Sequence, residues 1–139
     1  DRNYMKKSLV LICHLLCIFA CANAQQIVSP EEHDVFAPIS KYFSNGDYTK
    51  LSAWFADNLE FEILGVTTSC SRNQGRLIMK NFFSTYAPRS FAIIHKSGKS
   101  PMSYAVGELV AGGEKFRVII YAKTDDGKNF IQQLCIEKE

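Results

Sequence analysis

The sequence has few of the elements that announce a chemistry. It lacks a phosphate-cradling P-loop, a dinucleotide glycine fingerprint, a zinc-type Cys/His spacing and a nucleophile-elbow serine. Each of those motifs is the local geometry its reaction requires, so their absence removes the sequence basis for nucleotide-, zinc- and esterase-type chemistry. The residues call for no cofactor and no metal. No charge of one sign dominates: 16 basic and 14 acidic residues leave a net charge of +2. No apolar run reaches the ~20 residues of a membrane span. Repeats, linkers and low-complexity stretches are also missing. What remains is 139 residues with 47% hydrophobic, 12% aromatic and 22% charged positions. That length predicts one domain, and that composition argues against disorder.

The start of the chain reads as an address. Met5-Lys6-Lys7 is cationic, Leu9 to Ala20 is apolar apart from His14, and Ala22-Asn23-Ala24 places small residues before Gln25. Positive, apolar, A-x-A is the layout of a secretory signal peptide, and about twelve apolar residues are too few to cross a bilayer comfortably. Residues 1–24 are therefore expected to be upstream sequence plus leader, with translation starting at Met5. Residues 25–139 are expected to be the exported domain, periplasmic or extracellular. A rival is a lipid anchor at Cys21, because Ile18-Phe19-Ala20-Cys21 loosely resembles a bacterial lipoprotein box. Phe19 is bulky for such a box, and the cleaner A-x-A pattern favours soluble export.

Cleavage would remove three bases and one acid, leaving 13 of each and a neutral mature chain of 115 residues. A neutral chain offers no electrostatic footprint for nucleic acid or an anionic membrane. Cys70 and Cys135 would remain. Export permits a disulfide between them, and two unpaired buried thiols fit the sequence equally.

Local patterns predict helices first and strands last. Ser29-Pro30-Glu31-Glu32 fits a capping box, and Val35, Phe36, Ile39, Tyr42 and Phe43 follow at helical spacing, with Pro38 expected to kink or restart the helix. Asn45-Gly46 stops it. Asp47 can cap a second short helix with Leu51, Trp54 and Phe55 as its apolar stripe. Leu59 to Leu64 alternates as a strand ending at Gly65, and Val66 to Cys70, rich in β-branched residues, is a candidate to continue as strand. Ser71 with Gln74 is a second capping box, opening a helix whose Gly75, Ile78, Met79, Phe82, Phe83 and Tyr86 share one face until Pro88. Phe91–His95, Ser103–Val110, Lys115–Lys123 and Asn129–Glu137 read as strands, with Gly98, Gly112-Gly113 and Asp125-Asp126-Gly127 as turns. The expected class is α+β, with N-terminal helices packed on a curved antiparallel sheet.

This order resembles the nuclear transport factor 2-like, or cystatin-like, cone. Ile39-Ser40-Lys41-Tyr42-Phe43, Gly46-Asp47, Leu51-Ser52 and Phe55 resemble the opening of a family of small exported Bacteroidetes proteins. Ser71 with Gln74, Phe82-Phe83, Pro88, Phe91, His95, Gly107, Phe116-Arg117-Val118 and Ile131-Gln132-Gln133-Leu134 continue the likeness, which covers nearly all of Ile27 to Lys138. Gly75 departs from it, standing where the pattern has alanine. That family is a domain of unknown function. The resemblance implies a fold and export, and no catalytic residues.

Cones of this kind often bury a pocket between helix and sheet, which makes six residues candidates for binding. His95 shares strand parity with Phe91 and Ile93 and is expected to face the core, where an imidazole serves as acid, base or ligand anchor. Glu108 shares parity with Tyr104, Val106 and Val110, so it too is a candidate for the inside. Arg117 lies between Phe116 and Val118, either clamping a carboxylate or pairing with an acid on a neighbouring strand. Trp54, Tyr86 and Tyr104 could wall the pocket or serve as core. Three functions follow. The leading one is a non-enzymatic module binding a small ligand or a protein. The second is an isomerase- or hydrolase-like enzyme using His95 with Glu108 or a tyrosine. The third is a dimeric structural or surface-interaction protein, a possible homodimer.

Overall fold

The computed structural model describes residues 34–139; the expected leader, Cys21, and the capping box at Ser29 to Glu32 lie outside the described residues. Two short helices, a hairpin, a longer helix and a four-strand meander follow in order: α1 (Phe36–Asn45), α2 (Tyr48–Ser52), β1 (Phe55–Ile63), β2 (Val66–Ser71), α3 (Arg72–Thr85), β3 (Pro88–Lys99), β4 (Met102–Ala111), β5 (Glu114–Asp125) and β6 (Lys128–Lys138).

The helices form where their end signals stand. α1 buries Phe36, Ile39 and Phe43, spaced to fall on one face. Gly46 ends it with φ 65°, and the Asp47 amide reaches back to the Tyr42 carbonyl at 2.9 Å. Pro38 is the third residue of α1, where its missing amide hydrogen costs no intrahelical bond, so it neither kinks nor restarts the helix. The Asp47 carboxylate accepts the Lys50 amide at 3.0 Å and caps α2. That helix stops at Ser52. Phe55, expected on its stripe, instead opens β1 opposite Ile131. At α3 both halves of the capping box form. Ser71 Oγ accepts the Gln74 amide at 3.3 Å, and Gln74 Oε1 accepts the Ser71 amide at 3.0 Å.

The six strands form one curved, unclosed sheet in the order β2-β1-β6-β5-β4-β3. Four pairings are antiparallel, whereas β1 runs parallel to β6, so the sheet is mixed. The parallel contact joins segments some seventy-five residues apart, and no local sequence pattern encodes it. β3 runs past Gly98 to Lys99, moving the turn from Gly98 to Ser100-Pro101.

All three helices cover one face of the sheet. Under them lie Leu109, Phe116, Val118, Ile120, Leu134 and Ile136, all fully buried. Phe43 stacks on Phe91 (centroids 4.8 Å) and meets Phe83 edge-on, while Phe82 meets Phe116 at 5.4 Å. Gly75 of α3 faces Phe55 and Phe61, and an added Cβ there would sit 2.9 Å from the Phe61 ring. Glycine at that position lets helix and hairpin approach, which accounts for the departure from alanine. Among the described residues no helix is long and apolar enough to cross a membrane.

Candidate functional site

The cavity bearing on function is an open groove of about 440 Å³ between the β1–β2 hairpin and α3. The Leu64-Gly65 turn, with both residues at positive φ, folds β2 back along β1 and sets the groove's length. Phe61, Ile63, Leu64, Val66 and Thr68 form one wall. Ile78, Asn81, Phe82, Thr85 and Tyr86 form the other. The floor is apolar, and the polar groups are neutral: two threonine hydroxyls, one amide and one phenol. Tyr86 is held at the end of α3 by its amide bond to the Phe82 carbonyl (2.8 Å) and by ring contacts with Phe82 and Phe116. At this volume the groove falls in the range of small-ligand sites.

Of the six sequence candidates, Tyr86 alone lines the groove. Trp54 sits half-buried between α2 and β1 against the core, its carbonyl accepting the Ile131 amide. His95, Tyr104, Glu108 and Arg117 lie on the opposite, open face of the sheet.

The inward expectation for His95 is corrected by a bulge. Ile93 pairs with Gly107 and His95 with Val106, so Ile94 is an extra residue and the strand's parity reverses there. His95 is exposed, its ring 5.9 Å from Tyr104. The inward expectation for Glu108 fails for a different reason. On β4 the buried residues are Ala105, Gly107, Leu109 and Ala111, while Tyr104, Val106, Glu108 and Val110 face out. Gly107 faces inward because the Phe91 ring occupies the space a side chain would fill: an added Cβ would come 2.2 Å from its tip. Glu108 pairs with Lys115 at 3.5 Å. Arg117 pairs with Glu139 at 3.7 Å, an acid at the end of the neighbouring strand β6. Tyr104, Val106, Ile119 and Tyr121 make a half-buried patch beside these charges, the two tyrosine rings 5.9 Å apart.

The cysteines stand on opposite faces. Cys70 is opposite Leu59 on the covered face, and Cys135 is opposite Glu62 on the open one. Three residues along and two strands across place them on the order of 14 Å apart, beyond disulfide reach. Both are free and buried. Burial raises both thiols above their ordinary pKa, aided at Cys135 by the Glu62 carboxylate, so neither is an activated nucleophile.

A second, more polar hollow of about 360 Å³ lies near Arg72. The guanidinium there is committed to structure: Nε donates to the Phe55 carbonyl and Nη2 to Asp57, both at 2.9 Å. Among the described residues no group of three or more His, Cys, Asp or Glu is placed to hold a metal ion.

Sequence reasoning missed most of the groove. The apolar face read for α3 includes neither Asn81 nor Thr85, and Leu64 reads as the end of a strand. The available signal was the Leu64-Gly65 turn followed by a β-branched run, which marks a hairpin lying alongside the next helix.

The sequence matches one family model over residues 36–137, described as Domain of unknown function (DUF4783). No match was found among curated proteins. A family protein of that same description from Bacteroides fragilis superposes with a TM-score of 0.72 at 23% identity, covering 76% of this chain and 100% of that one. An NTF-2 like protein of unknown function from Silicibacter pomeroyi gives 0.56 at 15% identity over 73% and 87% of the two chains. A cystatin-like domain of unknown function from Nostoc punctiforme gives 0.58 at 11% identity over 72% and 70%. These likenesses establish the helix-on-sheet cone as the fold.

Proposed function

The chain belongs to the domain-of-unknown-function family DUF4783, and on that premise we propose that it is an exported, non-enzymatic binding protein whose groove between β1–β2 and α3 holds an apolar ligand. One observation carries the reading. The groove is large enough for a ligand and lined by apolar and neutral groups, while His95 and Glu108, the pair an isomerase or hydrolase would use, stand on the other side of the sheet. Isomerase- or hydrolase-type proton transfer requires a paired acid and base within hydrogen-bond reach of the substrate, and the groove lining offers the Tyr86 phenol with no carboxylate or imidazole beside it. Its neutral polar groups can orient a ligand without reacting with it.

Fluorescence titration with anilinonaphthalene sulfonate, competed by decanoate, tests this. The probe should bind, and Val66→Asp, at a residue 65% exposed, should weaken it about tenfold without unfolding the chain. Equal binding by the variant would place the probe elsewhere and remove the groove from the argument. Export, periplasmic or extracellular, rests on the leader pattern of residues 1–24. Fractionation of the native host with intact-mass analysis should find a chain beginning at Gln25. A lipid-bearing Cys21 would replace soluble export with anchoring.

A second reading is favoured by the open face. Among the described residues no helix covers the patch formed by Tyr104, Val106, Ile119 and Tyr121, and two copies could bury it against each other. Light scattering over a concentration series should then give a dimer that Tyr121→Lys dissociates; a monomer throughout disposes of it.

A further inference from the structure

We propose that the occupant of the groove is an extended peptide that adds to the sheet as a seventh strand along the free edge of β2; this deepens, and rests on, the reading of the groove as a binding site. β2 is the terminal strand of the sheet. Ile63 and Val66 close the two-residue turn, so hydrogen-bonded pairs with β1 alternate from there. Thr67 and Ser69 fall on the non-bonded pairs, and their amides and carbonyls point away from β1. Among the described residues no strand lies on that side.

Natural edge strands are blunted with lysine, proline or a bulge. β2 reads VTTSCS, pairs with β1 without a register shift, and is exposed at every residue except Cys70. The other terminal strand, β3, is bulged, begins with Pro88, carries Lys96 and packs against α1. The open edge is the one beside the groove.

The groove continues that edge. Val66 and Thr68 project into it, so a strand laid against β2 would place every second side chain beside them, facing Ile78 and Asn81. Five large apolar residues are conspicuously exposed among the described residues, and two of them, Leu64 (43%) and Val66 (65%), line this groove. The partner's alternate residues would emerge on the open face beside Thr67 and Ser69. Glu60 and Glu62 stand one strand further in, neither in an ion pair among the described residues. The matching segment is therefore about six residues long, apolar at alternate positions and basic or hydroxyl-bearing between.

The test uses fluorescein-labelled seven-residue peptides with Val, Leu, Ile or Phe at every second position and Lys or Thr between. Each is made unmodified and with alternate amides methylated in either register, and anilinonaphthalene sulfonate serves as the separate groove probe. Binding by anisotropy is expected for the parents, with about a tenfold loss for one methylated register and little change for the other. Ser69→Pro removes an outward amide without touching the β1 ladder. It should weaken the peptides about tenfold, leave the groove probe within about twofold, and abolish the slowed exchange of the Thr67 amide that the parent peptides confer. Indifference to both methylation and Ser69→Pro would overturn strand addition. So would an absence of peptide binding while the groove probe still binds, a result that leaves the groove reading standing. If neither binds, both readings fail. A dimer that Ser69→Pro dissociates would assign the edge to a second copy and overturn the peptide.

Discussion

The two faces of β4 carry side chains of opposite size. Beneath the helices stand Ala105, Gly107, Leu109 and Ala111, and on the open side Tyr104, Val106, Glu108 and Val110. Apart from Leu109, the covered face of β4 is built from small residues because volume arrives from elsewhere: Phe91 from β3, Phe43 from α1, Phe82 and Phe83 from α3. Among the described residues the open face has no such lid, and its bulky side chains cover themselves and each other. On β4, side-chain size therefore reports what lies above each position. Burial is a separate quantity, and an inward glycine can be the most tightly enclosed position in the strand.

The largest test of that contrast is to overfill the covered face. In Gly107→Val the first added carbon already falls 2.2 Å from the Phe91 ring, which is buried and stacked on Phe43. Overpacking a filled core costs about 1–3 kcal/mol, and this site should reach the upper end. Val106→Ala, one residue away on the open face, should cost less than about 1 kcal/mol. Urea midpoints at constant slope measure both. Equal costs would break the contrast. Phe91→Leu combined with Gly107→Val should recover part of the loss, since contacting residues are not additive.

Next in size is the lid itself. Ser71→Ala removes the hydroxyl that accepts the Gln74 amide at the start of α3, and should cost about 1 kcal/mol. The double variant with Gln74→Ala should cost less than the sum, because each half of the box positions the other. A fully additive pair would mean the two bonds act separately. The same loss should loosen the groove wall that α3 supplies, seen as faster amide exchange from Arg72 through Arg76.

How far the sequence reaches follows the same division. Features closed within a few residues were legible: the Ser71–Gln74 box, the Gly46 stop with Asp47 behind it, the amphipathic face of α3, and the glycine turns at residues 112–113 and 127. The α+β class follows from their order, and the cone from the family resemblance. Side-chain direction was legible only while strict alternation held. One extra residue at Ile94 reversed it for His95, and the small inward residues of β4 disguised it for Glu108. The β1–β6 contact and the groove between hairpin and α3 depend on pieces meeting in space. Tyr86, on the strongest helical pattern in the chain, was the one candidate that pattern could deliver to the groove.

The smallest effect concerns the other lid. Lys96 Nζ lies 2.8 Å from Asp34 Oδ2, joining the start of α1 to β3, and the Asp34 carboxylate also accepts the Phe36 amide at 3.1 Å. The Lys96 hydrogen bond, ahead of the smaller helix-amide contributions, holds the Asp34 carboxyl below the usual aspartate value. A lowered folded pKa means stability present above the unfolded value near 3.9 and lost as pH falls through the folded one. Both side chains are more than 40% exposed, so solvent screening reduces the pair to a few tenths of a kcal/mol. Asp34→Asn keeps an acceptor for Phe36 and removes only the charge. It should be less stable than the parent by that small amount at pH 7, with the two converging as the parent's Asp34 is protonated. In 1 M salt the gap should shrink at pH 7 as well. A gap that survives acid would show that Asp34 holds α1 by shape, leaving the covered face with no electrostatic clip.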